Sequence, residues 1–363
     1  MHSEPVIARG ACHVLFAYEV AQAIDLDAAE ARLAAERQTV KHKRRAPAFF
    51  EYRPPPLRVT RPGVAHAVGN HATAPAADVV VYDFGAVSVG YEIPLAGPLG
   101  ALPALADALW GHAGLLADSR RQVEALLGAL EDTAVRPRIA DSVEDYAIFH
   151  IEAFTEPLAG AALWEEYGHT VAQILRAEPR ALSQQEVGDA LSSRLAFGPA
   201  DATFIDTDAA LVFDAEGDDV LAVLELVNTQ LMEMRFLDEQ LDDALERAYE
   251  ALLARRRGRH HGPDIERLAQ LQLDSAILFE QVTNAVKLVG EQYLARVYAL
   301  VSRRFHLAEW DASITRKLET MDSIYSKMAD RAATRRMETL EWIIIGLIAI
   351  ELVLSLLTAF GSR

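Results

Sequence analysis

The sequence predicts an α+β protein, with an N-terminal mixed sheet followed by long helices and one C-terminal transmembrane helix. Three observations carry this expectation. Up to about residue 218 short β-branched and apolar runs alternate with helical patterns, and from Asp218 apolar residues recur at helical spacing. Residues 342–360 read WIIIGLIAIELVLSLLTAF, with Glu351 the one ionisable group. The expected organisation is a sheet domain over 1–218, a helical region with a short coiled-coil seam over 219–340, and a transmembrane helix over 341–360.

In chain order, CHVLFAYEV from Cys12 predicts a strand, and Asp25 is placed to cap the helix after it, with Asp27 and Glu30 near its positive end. A basic, proline-rich connection holds KHKRR at Lys41 and PPP at Pro54. VVVYDFGAVSV from Val79 predicts one central strand. A helix over 102–130, a strand over 146–154, a helix over 161–177 and one or two strands over 202–213 complete this part. With one more strand after Pro56, the first 155 residues or so fit a ferredoxin-like split βαβ sheet, and other α+β layouts fit nearly as well.

The helical pattern then runs through Leu224, Val227, Leu231, Met234, Leu241, Leu245, Ala248 and Leu252 until RRRGRHHGP from Arg255 breaks it. Further on, Ile314, Leu318, Met321, Tyr325, Met328 and Ala332 follow the spacing of a coiled-coil seam, equally suited to packing against the chain itself.

The apolar C-terminal stretch makes roughly 28 Å of helix, close to the roughly 30 Å of a hydrocarbon core. Twelve Ile, Leu, Val and Phe residues outweigh one central acid, so insertion is favoured. Lys327, Arg331, Arg335 and Arg336 precede it and Arg363 follows, which places the large N-terminal part in the cytoplasm. The expectation is a tail anchor, single-pass in the cytoplasmic (inner) membrane, with no export signal at the N-terminus. Glu351, Ser355 and Thr358 share one helical stripe and are candidates for a contact with another transmembrane helix. Lipid bilayer and a second copy of the chain are thus the first partners expected.

Composition narrows the chemistry. The 363 residues include 35 Lys and Arg against 53 Asp and Glu, a net charge of −18, with 51% hydrophobic residues and one cysteine. Global disorder is excluded, as are an intrachain disulfide framework and a multi-cysteine metal site within one chain. So acidic a surface does not coat nucleic acid as a whole. Two local clusters oppose it: Lys41, Lys43, Arg44 and Arg45, then Arg255, Arg256, Arg257 and Arg259. Each is a candidate for an anionic surface, whether ribosomal RNA or anionic lipid, set against ordinary solvated loop charge.

Motifs of catalysis are weak. Asp83, Phe84 and Gly85 spell a kinase magnesium tripeptide without the glycine-rich loop, VAIK strand or HRD loop that give it meaning. Gly85 fits a bulge or a close backbone approach better. Ser88 in AVSVG lacks both the first glycine and the strand-to-helix turn of a nucleophile elbow. His66, His71, His112, His150 and His169 show no helical metal spacing. Asp201, Asp206, Asp208 and Asp214 would hold a cation only if strand ends gathered them, and turn aspartates are the commoner case. No catalytic residue, cofactor or metal is therefore assigned.

YDFGAVSV from Tyr82, LELVNTQLMEMRFLD from Leu224, NAVKLVGEQYLARVY from Asn284, RFHLAEW from Arg304 and LEWIIIGLIAIE from Leu340 together resemble the required-for-meiotic-nuclear-division family. That resemblance implies a membrane-anchored α+β protein without established enzymatic activity, homo-oligomeric, with mitochondrial relatives that support translation. The function expected is a non-enzymatic, tail-anchored scaffold with a cytoplasmic body. The alternatives are a membrane-tethered RNA or ribosome binder, and an uncharacterised hydrolase or cation-dependent enzyme.

Overall fold

The structure, a computed structural model, describes residues 4–35, 55–256 and 292–361. The chain opens with β1 (Val6–Glu19), a short β2 (Ala23–Ile24) and α1 (Leu26–Ala35). Asp25 caps α1 as expected, its Oδ1 accepting the Ala28 amide at 3.1 Å. Next come β3 (Leu57–Pro62), the small hairpin β4 (Ala67–Val68) and β5 (His71–Ala72), β6 (Ala76–Val81) and β7 (Ala86–Pro98). Helices α2 (Leu102–Leu109) and α3 (Ala113–Leu130) lead through β8 (Ala134–Val135) to β9 (Glu144–Phe154). Then follow α4 (Ala162–Glu165), α5 (Gly168–Leu175), α6 (Gln184–Ala190), β10 (Arg194–Leu195), β11 (Ala202–Ile205) and β12 (Ala209–Phe213). The long helices are α7 (Asp218–Arg256), α8 (Gln292–Arg304) and α9 (Leu307–Gly361).

An eight-stranded mixed sheet in the order β10-β11-β12-β9-β1-β7-β6-β3 organises these elements. Its neighbours pair antiparallel except β12 and β9, which are parallel. The strands β9, β1, β7 and β6 stand in the order that a split βαβ unit produces.

The pleat sends alternate residues of β1 to two cores. Cys12, Val14, Phe16 and Tyr18 join α1 through α6 in one continuous apolar cluster. Leu15, Ala17 and Glu19 face the other way, where α7 and α8 cover the sheet through contacts such as Ser88 with Glu225 and Tyr146 with Phe305. Residues 220–234 of α7 are buried without interruption, including Glu225, Asn228, Thr229, Gln230 and Glu233.

The chain divides into two compact units, Met1–Leu237 with Leu278–Ala312, and Asp238–Ile277 with Ser313–Arg363. In the second, Ile314 and Met321 of the expected seam are buried, as are Leu241, Ala244 and Ala248 of α7. Lys317 bonds Asp238 at 2.8 Å and Asp242 at 2.6 Å, so the seam packs against its own chain.

Three expectations are corrected. Among the described residues no helix is long and apolar enough to cross a membrane. The expected transmembrane helix, the tail anchor and the single-pass inner-membrane location are overturned by this finding. Second, VVVYDFGAVSV is a hairpin, because Gly85 adopts φ +99° and turns the chain between β6 and β7. Third, the expected helix over 102–130 is broken at Gly111, whose φ of +62° ends α2 before α3 begins.

Candidate functional site

The break at Gly111 builds one wall of a cavity of about 260 Å³ on the helical face of the sheet. Its floor is apolar: Val14 from β1, Phe149 from β9, Ala209 from β12, Ala106 and Leu109 from α2, Ile174 and Leu175 from α5. All of these are buried. Small residues make the space, since Ala106, Ala147, Ala177 and Ala209 stop short where larger side chains would meet.

The mouth is different. Trp110, Asp145 and Asp208 line it and are exposed, Trp110 at 64%. Trp110 ends α2 in an extended conformation, its amide held by the Ala106 and Asp107 carbonyls at 3.2 Å. Beyond Gly111, His112 starts α3 by accepting the Leu115 amide on Nδ1 at 3.1 Å. The backbone at Trp110 is thereby held at the rim, and its indole is exposed there.

Asp145 and Asp208 stand at the N-terminal ends of the adjacent parallel strands β9 and β12, where Ala147 pairs with Ala209. Lost hydration raises the Asp145 carboxyl above the usual range. Asp208 is raised by lost hydration and by the charges of Asp206 and Asp145, opposed by Arg176 and Arg235. Glu144, next in line, is pushed to about 7 by burial and Asp145, although Arg235 bonds it at 2.6 Å.

Behind this rim, buried Asp206 is clamped by two arginines. Arg304 Nη2 bonds its Oδ1 at 2.6 Å and Arg176 Nε lies 3.1 Å from its Oδ2. Both arginines also reach Asp189 of α6. Tyr146 donates to the Asp206 carbonyl at 3.1 Å while its ring meets Phe305 edge-on, so the wall of the cavity is tied to the end of α8.

The second buried polar cluster lies on α7. Glu225 accepts from Ser88 at 3.0 Å and from Arg58 at 3.2 Å. Just over two turns along, the Glu233 and Glu19 carboxyls interact directly. Burial raises both, Glu233 to about 7, with Glu19 the stronger proton holder and Arg138 its one opposing charge. Among the described residues, neither Glu233 oxygen, nor Glu19 Oε2, nor the Asn228 amide finds a further hydrogen-bonding partner.

The residues singled out in the sequence are dispersed. Lys41, Lys43, Arg44, Arg45, Arg257 and Arg259 lie outside the described residues, while Arg255 and Arg256 end α7 with side chains outside them. Glu351 is exposed on α9, and the Ser355 and Thr358 side chains lie outside the described set. The four aspartates do not converge: Asp201 bonds the Phe197 and Gly198 amides, Asp206 the two arginines, and Asp214 the Glu216 amide. Only Asp208 reaches the cavity. No group of three or more metal-binding side chains is placed to hold an ion among the described residues. Ser88 is 1% exposed and serves Glu225. Sequence reasoning missed Trp110 and Asp145, whose signals were an aromatic before a helix-ending glycine and an acidic pair opening an apolar strand.

A model of the family described as "Uncharacterized protein MJ0711, N-terminal domain" matches residues 9–219. Uncharacterized protein MJ0711 of Methanocaldococcus jannaschii is 22% identical over 217 residues, 59% of this chain and 66% of that relative. The chain thus spans just under two thirds of the relative's length. No solved structure matches it.

Proposed function

Because the chain belongs to the MJ0711 N-terminal domain family, and the span 9–219 holds every residue lining the cavity, we propose that this domain is a small-ligand-binding module. The observation that carries the reading is the cavity itself, with a buried apolar floor and a few polar groups gathered at one mouth. That is the usual build of a small-molecule site, and its volume of about 260 Å³ lies just below the common range of roughly 300 to 1,000 Å³. Burial of ligand surface on Phe149, Leu109 and Ile174 supplies affinity, at roughly 25 cal/mol per Å² of apolar area. The rim supplies orientation. A binding module is compatible with the non-enzymatic assembly role expected from the sequence, the pocket occupant then acting on how the body is presented to a partner.

A thermal-shift screen of small organic molecules on the full chain tests this. A ligand at a hundred times its Kd adds about 2.7 kcal/mol to the folded state, a shift of a few degrees. Ala106→Leu fills part of the cavity and is expected to keep the fold while erasing the shift. Shifts that survive Ala106→Leu unchanged place the binding elsewhere and sink the reading.

A further inference from the structure

Resting on that reading, we propose that the cavity takes an organic ammonium ion: an apolar body in the pocket, its cationic end held between Asp145, Asp208 and the face of Trp110. Three features of the rim converge on positive charge. Asp145 and Asp208 flank the mouth from adjacent strands, and neither has an ion-pair partner among the described residues. The neighbouring arginines are already engaged, Arg176 with Asp206 and Asp189, Arg304 with the same two, and Arg235 with Glu144. No lining residue is basic, so nothing in the wall would receive an anion.

Trp110 adds a second, independent recognition element. An exposed indole at the rim of an apolar pocket offers the π-face that best attracts ammonium groups, more strongly as the site loses water. The floor excludes a bare inorganic cation, because its groups are hydrocarbon and supply no oxygen ligands. The repulsion that Asp206 and Asp145 exert on Asp208 is relieved when a cation enters. Binding therefore draws on the same charges that make the empty rim unfavourable.

The test uses three probes sharing one body: phenethylamine, phenethyl alcohol and phenylacetate, titrated calorimetrically into the full chain at pH 8 and low salt. The amine should bind roughly ten-fold tighter than the alcohol, about 1.4 kcal/mol, with the carboxylate weakest. Asp145→Asn and Asp208→Asn should each cut amine affinity several-fold and leave the alcohol unchanged. Trp110→Leu should weaken the amine more than the alcohol. Lowering the pH should weaken the amine alone, as Asp145 and Asp208, both raised, take up protons before ordinary aspartates do while Arg176 and Arg235 keep their charge.

Equal affinity for amine and alcohol, both lost in Ala106→Leu, would overturn the ammonium assignment and leave the pocket reading standing. Preference for phenylacetate would overturn it as well. No binding by any probe would overturn the ammonium assignment, and the thermal-shift screen with Ala106→Leu then decides the pocket reading by itself.

Discussion

Gly85 shows how much one residue can decide. A Cβ there would lie 1.8 Å from the Ala21 carbonyl oxygen, and the φ of +99° is one that other residues avoid. The Gly85 carbonyl accepts the Val20 and Ala21 amides at 2.9 and 3.2 Å, locking the β6–β7 turn to the end of β1. Gly85→Ala is expected to cost about 3 kcal/mol or more, measured by urea denaturation. Glu233 is the second such residue. Its carboxyl is proton-bound in the fold at a pH where an unfolded glutamate is ionised. The raised folded value means that its contribution is fully present below the unfolded value of about 4.3 and is lost as pH rises through about 7. Stability should therefore fall over that window. Glu233→Gln removes the cost of ionising a buried group beside Glu19, so its melting temperature should exceed that of the native chain at pH 8 and show a shallower pH dependence.

Among the elements, the union of α8 with the sheet depends on charge as well as on Phe305. Arg304→Leu leaves Asp206, 1% exposed, with Arg176 alone, and breaking such a buried pair costs about 3 to 5 kcal/mol. Denaturation of Arg304→Leu beside Arg304→Lys would show whether charge alone suffices or the forked geometry is needed. The elements also show what was legible beforehand. Strand β1, the Asp25 cap and the helices from Asp218 follow from alternation, capping chemistry and period, which are local. The hairpin at Gly85 and the break at Gly111 were not read, because a single glycine inside an apolar or helical run looks the same whether the chain continues or turns. Asp206 looked like a turn aspartate. Its partners are 30 and 98 residues away in the chain, at Arg176 and Arg304, beyond any local pattern. The cavity was invisible for the same reason, since α2, α5, β9 and β12 meet only in the folded sheet.

At the scale of the whole molecule, the family match stops at residue 219, where α7 has barely begun. The second face of the sheet still needs a cover: Leu15, Tyr146, Ile148 and Val212 are buried there outside the cluster that α1 through α6 complete. A fragment of residues 1–219 is expected to aggregate or to bind a hydrophobic dye strongly, whereas the full chain does not, as light scattering and dye fluorescence would report. A monodisperse, dye-silent fragment would show that α7 and α8 are dispensable to the sheet.

The place of β1 in that sheet shapes how the chain is made. It is made before both of its neighbours, which come from residues 86–98 and 144–154. At roughly 5 to 20 residues per second, some 7 to 30 seconds pass before both have been synthesised. Until then at least one edge of VLFAYEV stays unpaired, a standing invitation to neighbouring nascent chains. Synthesis of this protein should thus call heavily on chaperones that bind early, and slow elongation between residues 100 and 154 should lower its soluble yield.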